Sequence, residues 1–201
     1  MVPISPQTSL ITLQRLLNMQ FHPLTVQARA DTPLGPVRLA ASPTGLSGVW
    51  FEGQRHEPTA QLHGPGAWAL GPGHHPVLQE AAHQLQQYLA GERQHFDLPL
   101  DLSGGTVFQQ SVWRALLQIG RGQTTSYGAL GRQLGNPSAV RAVGAAVGRN
   151  PLSVVVPCHR VLGADGSLTG YAGGLDRKRA LLTLENAPLL AAAAHPMKAT
   201  A

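Results

Sequence analysis

The hydrophobic pattern of this chain changes period once, at Leu102-Ser103-Gly104-Gly105, and that change limits the fold to one with sheet first and helices after. Before it, "LTVQARA" (24–30), "VRLAAS" (37–42) and "GLSGVWF" (45–51) are short and partly alternating, with the turn signals "PLGP" and "PTG" between them. That spacing predicts an antiparallel meander. Residues 52–75 carry "GPG" twice and no periodicity, which predicts an irregular excursion. From Pro76, Leu78, Ala81, Ala82, Leu85, Tyr88 and Leu89 fall on one helical face, and Gly91 stops the run. "FDLPLDL" (96–102) alternates again and is expected to be a last strand.

Beyond the boundary the period is helical. "TVFQQSVWRALLQI" puts Val107, Val112, Leu116 and Ile119 on one face, with Thr106 as candidate cap. "SYGALGRQLG" predicts a short helix ended by Gly135, and "NPSAVRAVGAAVGRN" a second over about 137–149, with Asn136 at the cap and Pro137 in the first turn. Two short helices joined by "LGNP" form a helix-turn-helix candidate. Gly144, Ala145, Ala146 and Gly148 leave one side of the second helix nearly bare, while Arg141 and Arg149 project from it. Such a surface lets another backbone approach closely; the alternative is an ordinary helix packed against a neighbour.

With 43% apolar residues in 201, the chain can bury a core, and no apolar run approaches a membrane span of about 18 residues. A single cysteine excludes an intramolecular disulfide and a cysteine-rich zinc site, and suits a reducing compartment. The first residues lack a basic segment followed by a small-residue cleavage site, so no signal peptide is expected; Met19 is a second candidate start. The formal charge of +5 divides unevenly: residues 1–104 hold five Arg against seven acids, residues 105–186 nine Arg and Lys against three. A basic second half points to a polyanion partner, or to a merely solvated basic surface.

The one cysteine lies in "PCHR" (157–160), after the β-branched stretch Val154–Val156, which reads as a buried strand that Pro157 ends. His159 and Arg160 follow at once, and cations beside a thiol lower its pKa and raise the thiolate fraction. That is how a nucleophile is prepared. The opposing reading is a small buried hydrophobe beside a structural histidine.

The segment "NPLSVVVPCHRVLGADGSLTGYAGGLDRKRALLTLE" resembles the active-site region of the O6-alkylguanine-DNA alkyltransferases, the methylated-DNA–protein-cysteine methyltransferases. The likeness continues upstream through "FQQSVWRALLQIGRGQTTSYGALGRQLGNPSAVRAVGAAVGRNP" and is looser over about 21–104. It implies an α+β protein: a ribonuclease-H-like α/β domain (21–104), then a mainly helical, winged-helix-like helix-turn-helix domain (105–187). Residues 1–20 would be an extension and 188–201 a tail.

The resemblance also implies roles. Cys158 matches the alkyl acceptor, His159 the base that deprotonates it through a water, and Glu185 the carboxylate that orients the histidine. Asn150 matches the asparagine that braces the turn before the active-site segment. Tyr127 matches the donor to guanine N3, and Arg141 the side chain that fills the gap left by a flipped base. Gly144, Ala145 and Gly148 would lie against DNA. The carbonyls of Cys158 and Val161 would accept from the exocyclic amine, with Tyr171 and the Ala172 N–H near O6.

The implied partner is double-stranded DNA, entered through the minor groove, with the alkylated guanine rotated out of the stack because its O6 is shielded inside the duplex. No cofactor and no metal are expected, and some relatives' zinc cysteines have no counterpart here. A monomer without a membrane association is expected, cytoplasmic and nucleoid-associated, or nuclear in a eukaryote. Gln123, Gly131 and Val147 depart from the common pattern, and Gly131 would loosen its helix by up to about 1 kcal/mol. Two rival readings remain. A lesion-binding protein of the alkyltransferase-like type would lack the acceptor cysteine, and a cysteine hydrolase would leave the helix-turn-helix unexplained.

Overall fold

The computed structural model describes residues 20–63 and 75–187. The expected extension apart from Gln20, both "GPG" turns and the expected tail lie outside the described residues. The meander forms as the turn signals require, with β1 (Val26–Ala30), β2 (Val37–Ser42) and β3 (Gly45–Phe51) antiparallel in that order. Ala28 opposes Leu39, and Leu39 opposes Val49.

Both faces of β2 and β3 are covered. Ala40 and Trp50 meet Phe21 and Leu62, the latter on α1 (Thr59–His63). Leu39, Val49 and Phe51, of opposite parity, share a core with Leu78, Ala81, Leu85 and Tyr88 of α2 (Pro76–Leu89). The Trp50 indole lies so closely over Gly48 that a Cβ there would come within 1.8 Å of the ring. Any larger residue at 48 displaces the tryptophan. "FDLPLDL" is not a strand: it makes one bridge, Leu100 to Leu46, held by the Pro99 carbonyl and the Asp101 N–H (2.7 and 2.8 Å). Pro99 has no N–H with which to extend a ladder.

In the second half, Thr106 starts α3 (Val107–Leu116) with a capping box shared with Gln109. Val112, Leu116 and Ile119 are buried as expected, but Val107 is 86% exposed, because the first helical turn stands clear of the core. Trp113 Nε1 donates to the Ala146 carbonyl (2.9 Å), which pins α3 to the second helix of the helix-turn-helix.

Ser126 caps α4 (Tyr127–Gln133) through the Ala129 N–H (3.1 Å), and Gly135, at φ +71°, ends it. The next helix, α5 (Val140–Gly148), starts three residues later than Pro137 suggests. Asn136 accepts from the Ala139 N–H through its carbonyl (3.1 Å) and from the Ser138 hydroxyl through its side chain (3.2 Å). Its capping capacity is used in a turn.

The expected strand at Val154–Val156 is a tight turn. Val154 adopts φ +72°, and Val155 and Val156 N–H groups bond back to Ser153 and Leu152 (2.9 and 2.8 Å). A β-branched residue in the left-handed region costs about 1–3 kcal/mol and persists only where its surroundings impose it. Here β3 supplies one constraint: Val49 N–H bonds to the Pro151 carbonyl (2.8 Å) and Ser153 N–H to the Val49 carbonyl (3.0 Å).

The chain then enters a 3-10 turn (Cys158–Arg160), a short strand β5 (Val161–Leu162) and α6 (Leu175–Leu184). β5 pairs in parallel with β4 (Thr125–Ser126). That ladder ties the entry to α4, where Tyr127 stands, to the exit from the cysteine turn. One buried core runs through both halves, from Leu39 to Leu152 and Leu181. Each such leucine contributes roughly 1.5–3 kcal/mol relative to exposure.

Candidate active site

Cys158 lies at a pocket of about 300 Å³ whose lining includes Tyr127, Gly144, Ala145, Gly148, Tyr171 and Ala172. Seven residues singled out in the sequence therefore meet in one place. The small residues of α5 form a wall without side-chain bulk: a Cβ on Gly144 would reach ordinary contact with the Tyr127 ring at 3.8 Å, and one on Gly148 would meet nothing within 4 Å. The Tyr127 hydroxyl sits 3.4 Å from the Gly170 carbonyl and 3.5 Å from that of Thr169, long contacts that leave it able to serve another acceptor.

Behind the pocket, Asn150 organises the cysteine. Its amide nitrogen lies within bonding distance of Cys158 Sγ (3.0 Å), the Val156 carbonyl (2.8 Å) and the Leu152 carbonyl (3.3 Å). Its oxygen accepts from the Leu152 N–H (3.0 Å). Asn150 thus satisfies the backbone that the Val154 turn leaves without strand partners, and it fixes the sulfur at the same time.

His159 is fully buried, and its Nε2 meets Glu185 Oε1 at 2.6 Å. A carboxylate acceptor there fixes the tautomer with the proton on Nε2 and leaves Nδ1 as a bare acceptor. That Nδ1 has no hydrogen-bond partner among the described residues. Burial lowers the His159 pKa, against the opposing pull of Glu185, so the imidazole is neutral. Burial works to raise the Glu185 pKa, but the bonds from His159 and Arg160 overcome it and hold the carboxyl well below the usual range.

The electrostatics correct one expectation. The Cys158 thiol is pushed up by burial, with the Asn150 amide and Lys178 opposing, so it rests as a protonated thiol. Arg160 does not activate it. Its guanidinium is buried and committed to Glu185, with Nε to Oε2 at 2.8 Å and a terminal nitrogen to Oε1 at 3.1 Å, and it also donates to the Ile119 carbonyl. Arg141 is exposed on α5, away from the pocket lining. Val161 lies outside the lining as well, and its carbonyl accepts from Lys178 Nζ (2.5 Å).

Three contributors were hidden in the sequence. Tyr88, read only as part of an apolar helix face, donates to Glu185 from the first half of the chain. Arg160, read as a free cation, braces the same carboxylate. Lys178 is wholly buried and donates to the carbonyls of Val161 and Thr169 (both 2.5 Å), closing the loop that carries Tyr171. Burial pulls its pKa down to about 8. Its spacing from Leu181 and Leu182 on one buried face of α6, and from Glu185 at the C-cap, is the signal that could have found it.

Two family models match in tandem: the 6-O-methylguanine DNA methyltransferase ribonuclease-like domain over residues 26–102, and the DNA binding domain of the same family over 107–187. The methylated-DNA–protein-cysteine methyltransferase of Mycobacterium tuberculosis H37Rv is 50% identical over 155 residues, covering 77% of this chain and 88% of its own. The chain belongs to this methyltransferase family.

A methyltransferase of the same name from Methanosarcina acetivorans is 46% identical over 156 residues, covering 77% of this chain and 94% of its own. Among solved structures, Mycobacterium tuberculosis O6-methylguanine methyltransferase superposes with a TM-score of 0.70 at 47% identity, over 81% of this chain and 93% of that one. The Mycobacterium tuberculosis protein OGT in complex with DNA gives the same TM-score at 48% identity, over 81% and 94%. The two-part architecture of the family, ribonuclease-like then DNA-binding, is the one seen here. Among the described residues no helix is long and apolar enough to cross a membrane, and no His, Cys, Asp and Glu cluster could hold a metal ion.

Proposed function

We propose that the protein repairs DNA by irreversible transfer of a methyl or larger alkyl group from O6 of guanine, and from O4 of thymine, to its own Cys158. The observation that carries this reading is the buried thiol at the pocket, backed by a neutral histidine whose bare Nδ1 awaits a proton and whose Nε2–H is held by Glu185. The sulfur attacks the alkyl carbon, the carbon–O6 bond breaks, and a thioether forms. The thiol proton passes through a water to His159, whose imidazolium Glu185 stabilises. Because the thiol rests protonated, its proton leaves before or as the sulfur attacks.

The departing guanine gains negative charge, and the Tyr127 hydroxyl offsets it by donating to N3. Asn150 keeps the sulfur in place. The carbonyl of Cys158 accepts from the exocyclic amine, as does that of Val161 with the lone pair that Lys178 does not use, and Tyr171 with the Ala172 N–H borders O6. The side-chain-poor wall of Gly144, Ala145 and Gly148 lets the minor groove approach α5, and Arg141 enters the stack in place of the flipped base. The protein acts as a monomer, its two units at 21–104 and 105–187 flanked by the extension 1–20 and the tail 188–201, in the cytoplasm with the nucleoid or in a nucleus. No cofactor enters the reaction, because the sulfur is the acceptor.

A lesion sensor of the alkyltransferase-like type would have no use for a braced thiol. Titration with labelled O6-methylguanine duplex decides the matter. Product should stop at one methyl per protein molecule; continued turnover, or none, contradicts the proposal.

A further inference from the structure

The pocket wall opposite α5 comes from the first half of the chain. The loop between β3 and α1 brings Arg55 and His56 to the pocket, where they stand with Arg149 at the end of α5. Among the described residues no acidic side chain lines this pocket. We infer that this loop is a second DNA-contacting element, with Arg55 placed at the pocket mouth to bind a phosphate of the strand that carries the flipped nucleotide. The inference rests on the proposed function and extends it to a part of the chain whose net charge is negative.

Three observations show that the loop is built into place. Its underside is fixed by Gln54, whose Oε1 accepts from the Phe51 N–H (2.9 Å) and from the hydroxyl of Ser153, within the segment leading to Cys158 (3.1 Å). Its tip is fixed by the Arg55 N–H, which donates to the carbonyl of Ala172 in the pocket wall (3.0 Å). Between these anchors His56 takes a left-handed backbone at φ +63°, an uncommon state for a residue other than glycine.

The charges of the loop are arranged for an anion. Other arginines of this half are engaged elsewhere: Arg29 pairs with Asp31 and Glu52 (2.9 and 3.0 Å), Arg38 lies 3.6 Å from Glu52, and Arg93 bonds to Gln87 and His95 (3.0 and 3.3 Å). The loop's own carboxylate, Glu57, accepts from the Gly53 N–H (2.9 Å). Arg55 is exposed at the rim. Partial burial, then Arg149 and Arg55, keep the His56 pKa below its ordinary value, so these positive groups are near enough to repel one another. An anion at the rim relieves that repulsion. A nucleotide that enters the pocket base first leaves its phosphates at the mouth, where such an anion is required.

The test measures binding of unmodified duplex across a salt series, and single-turnover methyl transfer from saturating O6-methylguanine duplex, for the wild type, Arg55→Gln, Arg55→Lys and the remote control Arg93→Gln. Arg55→Gln is expected to weaken binding several-fold and to reduce the slope of log K against log salt by about 1, the signature of one lost phosphate contact. Arg55→Lys should restore the slope, and Arg93→Gln should match the wild type. Wild-type affinity and slope in Arg55→Gln would overturn the inference. So would a slower saturating rate with an unaltered slope, because the loop would then only shape the pocket. Absence of transfer in the wild type would sink the proposed reaction while the salt slopes still report on the loop.

Discussion

Tyr88 on α2 donates its hydroxyl to Oε1 of Glu185, the same oxygen that meets His159 Nε2 at 2.6 Å. The ribonuclease-like half therefore reaches into the buried His159–Glu185 pair of the other half. Arg160 donates to the Tyr88 oxygen in turn (3.1 Å), and burial, then Glu185, push the Tyr88 pKa up to about 12, so it remains a donor. Tyr88→Phe keeps the ring and its stacking on Phe96 while removing the donor. Single-turnover transfer at saturating duplex is expected to fall about tenfold, equivalent to ~1.4 kcal/mol, with DNA affinity retained. Without the tyrosine's bond Glu185 becomes the stronger acceptor, so the acid limb of the pH profile should move upward. A wild-type rate and profile would contradict this role.

The acid limb itself has a predicted position. In the proposed reaction His159 is neutral before it takes the proton, and burial holds its pKa below the ordinary 6.5, so the midpoint of the acid limb of transfer should lie below pH 6.5. Stability follows the same direction. The depressed pKa of Glu185 gives stability that is complete above the ordinary 4.5 and is lost as pH falls through that value towards the folded one. Denaturant titrations should show a flatter acid dependence for Glu185→Gln than for the wild type.

Asn150→Ala removes the amide that serves Cys158, Val156 and Leu152 together. Buried backbone groups left without partners should lower stability by about 2 kcal/mol. Transfer should slow beyond what the loss of folded protein explains, because the sulfur loses its tether. Equal stability by chemical denaturation would show that the turn carries itself.

Arg141 is exposed on α5 and is not among the residues lining the pocket. Arg141→Ala should slow repair in duplex more than in single strands, since only a duplex stack has a vacancy to fill. Equal losses on the two substrates would assign it to phosphate binding alone.

Elements set by local signals were legible. The "PLGP" and "PTG" turns delimit the meander, and Thr106, Ser126 and Gly135 mark helix ends where backbone groups demand them. Misreadings arose where a distant partner decides the outcome. The β-branched run Val154–Val156 signals burial, and only the amide of Asn150 and the edge of β3 turn it into a folded-back loop. Arg160 is basic in any charge count, but Glu185, 25 positions away, claims it. Tyr88 lies 97 positions from the carboxylate it serves, a separation that no local periodicity can encode. The motif singled out Cys158, His159 and Glu185, all three of them buried and the last two in contact, whereas the protonated resting state of the thiol emerges only from its burial.

The most direct measurement is the intact mass of the protein after incubation with excess O6-methylguanine duplex, beside a Cys158→Ser control. The expected result is a gain of one methyl in the wild type alone, which peptide mapping places on Cys158. An unchanged mass despite lesion binding, or a gain that persists in Cys158→Ser, would contradict the assignment of Cys158 as the alkyl acceptor.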